Sequence, residues 1–158
     1  METLERMREL LRDKQELFLQ YEQETGKLLT EDLEAVDRIA EAVEAREGLI
    51  RQIDAVDAKL RETAAASGSG ARLYEITKHR CDYAALSEGE QQLFQDGQQI
   101  FTVMTRIRET EERAREGMAK ITGELQEKIR QSNTNTRFSG YLKQMDTGTK
   151  GMLYDKKR

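Results

Sequence analysis

The chain has 158 residues, 37% of them hydrophobic, 35% charged and 6% aromatic, with no proline, no tryptophan and one cysteine. The length fits one domain that can bury a core. Low apolar and high charged content point to long helices packed two or three together, each burying one stripe and exposing the rest. The net charge of −4 is uneven: residues 132–158 hold Arg137, Lys143, Lys150, Lys156, Lys157 and Arg158 against Asp146 and Asp155, so the rest of the chain is markedly acidic. An acidic body argues against nucleic acid as the main partner, because phosphate contacts need a basic surface. The lone Cys81 forms no internal disulfide and favours a reducing compartment. No apolar stretch approaches the ~20 residues that span a bilayer. The expectation is a cytoplasmic protein without membrane insertion.

Apolar residues recur at helical spacing from Leu4 to Ile129. In the first segment Leu4, Met7, Leu11, Phe18, Tyr21, Thr25 and Leu28 form a three-four ladder interrupted at Lys14, with Leu10 and Leu17 widening the stripe. This predicts an amphipathic helix ending near Leu29, its last turn loosened by Gly26. Thr30 is a predicted N-cap, with Glu31 and Asp32 suited to the positive end of the helix dipole. A second helix follows through Leu33, Val36, Ile39, Val43, Ile50, Ile53, Val56 and Leu60, with Arg46 at a ladder position. It ends in Ala64-Ala-Ala-Ser-Gly-Ser-Gly70, the clearest linker signal.

Leu73, Ile76, His79 or Arg80, Tyr83 and Leu86 predict a shorter helix. Ser87-Glu-Gly-Glu90 matches a capping box, which either starts a new helix or marks a kink. The ladder then continues through Leu93, Ile100, Met104, Ile107, Ala114, Met118, Ile121 and Leu125, with Gly97 and Glu111 at two of its positions. Gly97, Gly117 and Gly123 each cost about 1 kcal/mol inside a helix, so they serve either close approach of a neighbour or a bend. Ser132-Asn-Thr-Asn-Thr136 is expected to end the helix, since short polar side chains compete for backbone groups.

The predicted fold is all-α: an elongated antiparallel helical bundle of three long helices, with or without a short fourth, over residues 1–131, and a flexible C-terminal tail over 132–158. The same ladder also serves an intermolecular coiled coil.

Candidates for chemistry each have a plainer reading. His79 is the single histidine, so triads and paired Glu-x-x-His di-iron sites are unsupported. Its spacing from Glu75 reads as a surface pair. Cys81 lies near Lys78 and Arg80, which would lower its pKa, but a nucleophile also needs an oriented base. Asp54 and Asp57 read as a solvated face, because a paired-carboxylate site needs a cleft. Gly68-Ser-Gly70 lacks the Lys-Ser/Thr of a phosphate loop. Arg46 is expected to lay its stem on apolar surface and pair its head with an acid. No enzyme activity, metal or cofactor is implied.

The tail differs. Phe138, Tyr141, Leu142, Met145, Met152, Leu153 and Tyr154 cluster at two spots flanking Thr147-Gly-Thr-Lys-Gly151. Met and aromatic side chains make an adaptable contact surface. These seven residues either bind a partner or, in the case of Tyr141, Leu142 and Met145, fold back on the bundle as a short helix.

The stretches Leu10-Leu11-Arg-Asp-Lys-Gln-Glu-Leu17, Thr30-Glu-Asp-Leu-Glu34 and Glu44-Ala-Arg-Glu-Gly-Leu-Ile50, with Ile53 and the ending Leu153-Tyr-Asp-Lys-Lys157, resemble the FlgN family of flagellar export chaperones. The resemblance is one of pattern over most of the chain. It implies a small acidic helical cytoplasmic protein that holds the C-terminal helices of the hook–filament junction proteins FlgK and FlgL and passes them to the export apparatus. The family's C-terminal part binds substrate, which maps the role onto the same seven tail residues. The alternatives are a FliT-like filament-cap chaperone and a homo-oligomeric coiled-coil scaffold, the protein being either monomer or homodimer.

Overall fold

The computed structural model describes residues 2–146. Within them the protein is all-α, with four helices joined by short 3-10 and π-type turns. The first helix, α1, spans Glu2–Gly26. Gly26 ends it three residues short of Leu29, and the chain turns through successive backbone hydrogen bonds from Lys27, Leu28 and Leu29 back to Glu24, Thr25 and Gly26. Thr25, wholly buried, donates its hydroxyl to the Tyr21 carbonyl and so stays satisfied.

Thr30 is not the cap of the second long helix. Its hydroxyl accepts from the Asp32 amide, and Asp32 in turn caps a 3-10 turn, Leu33–Ala35, by accepting from the Glu34 amide. Two short polar side chains in series thus replace a single cap, and α2 runs Val36–Ala64. Its end falls at the predicted linker, where a π-type turn over Ala65–Ser69 leads into Gly68 and Gly70 at positive φ.

The third helix, α3, is only Arg72–Thr77. The apolar spacing continued to Leu86, but the backbone breaks at His79, which takes φ of 65°. A second 3-10 turn, Tyr83–Ala85, capped by Asp82, precedes the last helix. The capping box forms: the Ser87 amide donates to Glu90, and the Glu90 amide donates to the Ser87 hydroxyl. It starts a separate helix, α4, Glu88–Asp146, of 59 residues, about 88 Å at 1.5 Å per residue.

The helix does not end at Ser132. Serine, threonine and asparagine cost at most about 0.7 kcal/mol each inside a helix, and this helix already absorbs Thr102 and Thr105, whose hydroxyls bond back to the carbonyls of Gln98 and Phe101. Without a proline or an αL residue, the polar run has nothing to stop it.

Ion pairs fix the helix directions. Arg8 pairs with Asp96, Glu22 with Arg106 and Glu31 with Lys120; both numbers rise together, so α1 and α4 run parallel. Lys14 meets Asp57 and Tyr21 meets Arg46, so α2 runs antiparallel to α1. The core has two parts. One gathers Met7, Leu10, Leu11, Leu60, Ala64, Leu73, Ile76, Leu86, Leu93 and Ile100; the other joins Leu28, Ile39, Ala42, Ala114 and Ile121. Gly97 and Gly117 permit the close crossings. A Cβ at Gly97 would lie 2.4 Å from the Thr77 carbonyl oxygen, and one at Gly117 2.3 Å from that of Thr30. Gly123 faces open space.

Candidate functional site

Lys14, the interruption in the first ladder, is buried at 6% exposure and places Nζ 2.7 Å from Asp57 Oδ1. Asp57 also accepts the Tyr74 hydroxyl at 2.8 Å and pairs with Arg61 at 3.0 Å. Asp57 therefore belongs to a shielded network joining α1, α2 and α3, and only Asp54 stays on the exposed face. Burial alone would raise the Asp57 pKa, but the Lys14 and Tyr74 hydrogen bonds outweigh it and hold the carboxyl below its usual range. Burial and Asp57 together push Tyr74 up to about 12.

Arg46 pairs with Glu111, the other polar intruder in a ladder, and stacks over the Tyr21 ring at 4.5 Å while donating to its hydroxyl. In chain position this polar layer lies between the two apolar clusters. It borders a groove of about 260 Å³ lined by apolar Phe18, Ile50, Ile53, Met104 and Ile107, by Tyr21, and by charged Asp54, Arg108 and Glu111. A smaller hollow of about 110 Å³, under His79 and Phe101, shares Met104 with it.

His79 does not pair with Glu75; Arg80 does, at 3.5 Å. The imidazole stacks on Phe94 at 4.8 Å and meets Phe101 edge-on at 5.9 Å, with Nε2 buried and unbonded. Burial lowers its pKa, so the ring acts as a neutral aromatic wedge. Cys81 is exposed, and its thiol is raised above the ordinary value by partial burial, against the pull of Arg72. The expected activation by Lys78 and Arg80 is not what the geometry delivers. Among the described residues no cluster of three His, Cys, Asp or Glu side chains is placed to hold a metal ion, and no helix is long and apolar enough to cross a membrane.

Of the seven predicted contact residues, Phe138, Tyr141, Leu142 and Met145 fall on α4; their i, i+3, i+4, i+7 spacing puts these positions on one stripe of a helix. Met152, Leu153 and Tyr154 lie outside the described residues. Among the residues of α4 whose burial is described, the last buried one is Ile121, and the helix runs on through 122–146, about 37 Å. Leu125 and Ile129, which continue the core ladder, are 45% and 52% exposed there.

No family model, curated protein or solved structure matches the chain.

The sequence ladder also hid a surface. Val36, Val43 and Ile50, counted with the core of α2, are 40–44% exposed. Burial falls on Ile39, Ile53 and Leu60 of that ladder and on Ala42, Leu49 and Ala64 beside it. The signal was present: three β-branched residues seven apart, close to two helical turns, form a second rank beside the first, and α2 carries more apolar positions than one seam can cover.

Proposed function

We propose that the protein is a non-enzymatic, cytoplasmic binding protein of the flagellar export chaperone type: an elongated antiparallel helical bundle whose C-terminal segment holds amphipathic helices of exported hook-associated proteins such as FlgK and FlgL. The observation that carries this reading is the run of α4 past Ile121, with Leu125 and Ile129 exposed. Residues 122–134 are exposed or half-buried, so that stretch gains little intrachain burial, and helices draw most of their stability from packing an apolar face. The extension therefore suits a helix completed by something else. Phe138, Tyr141, Leu142 and Met145 supply the adaptable apolar stripe such contacts use. Covering a partner's apolar helix there would keep it from self-association before export.

Leu142→Asp with Met145→Asp tests the assignment. Loss of at least tenfold in affinity for C-terminal fragments of FlgK and FlgL, about 1.4 kcal/mol or more, with unchanged helicity by circular dichroism, is the expected result. Unchanged affinity would remove the site.

A further inference from the structure

The groove and the smaller hollow are successive compartments of one slot. Leu11 and Lys14 of α1 line the hollow, and Phe18 and Tyr21, the next turns of the same face, line the groove. Along α4 the same succession runs from Gly97 and Ile100 through the shared Met104 to Ile107 and Glu111, about 21 Å of helix. At one end α3 stops, and Thr77, Lys78 and His79 line the hollow. At the other the Arg46–Glu111 pair ties α2 to α4. The two compartments differ in chemistry. The groove is mainly aliphatic and aromatic, and two of its three charged residues, Asp54 and Glu111, are acids. The hollow has a surplus of positive charge. Asp57, the carboxylate of the neighbouring network, is already paired with Lys14 and Arg61, which leaves Lys78 without an ion pair among the described residues. Partial burial and the Lys14 charge lower the Lys78 pKa, a shift that an anion beside it would reverse. His79 lines the same hollow, and its Nε2 is buried with no hydrogen-bond partner.

We infer that the slot binds a free medium-chain carboxylate, its anionic head among Lys14, Lys78 and His79 and its aliphatic body running past Met104 into the groove. Mostly apolar walls with a few polar groups gathered at one end are the usual make-up of a small-molecule site. The charges set the direction: a carboxylate is drawn to the lysines and repelled by Asp54 and Glu111. Its oxygens accept from the two ammonium groups and from an Nε2–H of the imidazole, whose tautomer follows the partner it meets. Met104, unbranched and adaptable, makes room where the compartments join. The Arg46–Glu111 pair bounds the far end, so the body is short.

Every readout uses the full chain alone, with no export substrate. Calorimetric titration with decanoate, kept below its micelle concentration, is expected to show saturable one-site binding. Decanol, which has the body without the charge, and acetate, which has the charge without the body, should each bind at least about tenfold more weakly. Lys78→Gln should weaken decanoate about tenfold, the loss of one charge-assisted contact. Arg80→Gln removes a neighbouring cation that pairs with Glu75 outside the hollow and should leave the affinity unchanged. Ile50→Asp, on the exposed wall of the groove, should weaken decanoate as well. Lys78, Arg80 and Ile50 are all exposed, and circular dichroism checks that each variant keeps its helicity. Bound decanoate should also shift the imidazole ¹⁵N resonances of His79, the single histidine. No saturable decanoate binding overturns the inference. Binding that decanol matches, that Lys78→Gln or Ile50→Asp fails to weaken, that Arg80→Gln weakens as much as Lys78→Gln, or that leaves His79 unshifted overturns it equally.

Discussion

Single polar residues set inside apolar ladders do the most to fix how these helices meet. Lys14 and Asp57 shield one another between α1 and α2, and Tyr74 adds a hydroxyl from α3. Replacing Lys14 with Ala leaves a largely buried carboxylate short of its cation and is expected to cost about 3 kcal/mol in chemical denaturation. The pH dependence follows in sign. Asp57 titrates below its ordinary value, so its contribution is complete above the unfolded carboxylate pKa near 4 and is lost as pH falls through the lower folded value. Tyr74, held up to about 12, acts at the other end: stability is lost as pH rises from about 10, where the unfolded phenol ionises, through the folded value. In a tyrosinate absorbance titration the Tyr74 phenol should ionise late in the native chain and earlier in Asp57→Asn. Reading these residues from sequence was uneven. Arg46 was legible as a snorkelling pair because its partner had to be an acid, and Glu111 is that acid. Asp57 was not, since nothing along a helix reveals which of two nearby carboxylates faces a lysine on another helix.

At the scale of elements, local chemistry predicted starts better than ends. The capping box at Ser87 and Glu90 was written in four residues and forms as read. Arg72 and the Ser87 amide hold Glu90 down to about 2, so this cap persists under mild acid and is lost only as pH falls from the usual glutamate range toward that value. Ser87→Ala should cost about 1 kcal/mol of stability. The end at Ser132 was misread because a polar run only weakens a helix. The break at His79 was invisible for a different reason: α3 closes with the Arg80 amide on the Glu75 carbonyl and the His79 amide on that of Ile76, a helix end that usually carries glycine but here takes a histidine at positive φ whose ring packs on Phe94 and Phe101. The three suspect glycines separate cleanly. Gly97→Ala drives a methyl into the Thr77 carbonyl and should cost about 1–3 kcal/mol. Gly123→Ala meets nothing and should stabilise the chain by about 0.5–1 kcal/mol, a contrast that thermal melts of the two variants can read directly.

For the whole molecule, the low apolar content and the long ladder made the all-α class legible, because only helices that expose most of their surface fit that balance. How much of each ladder would be buried was not legible. Val36, Val43, Ile50, Leu125 and Ile129 keep the same periodicity as the core yet stay exposed, since period alone does not say whether a seam is closed within the chain or by another. That surplus of unclosed seam is the physical basis for assigning a binding role. The most direct measurement is calorimetric titration of the full chain against C-terminal fragments of FlgK, FlgL and the filament-cap protein FliD. The account predicts saturable binding to the FlgK and FlgL fragments with a negative heat-capacity change, the mark of apolar burial. Binding to FliD alone, or to none of the three, would contradict it.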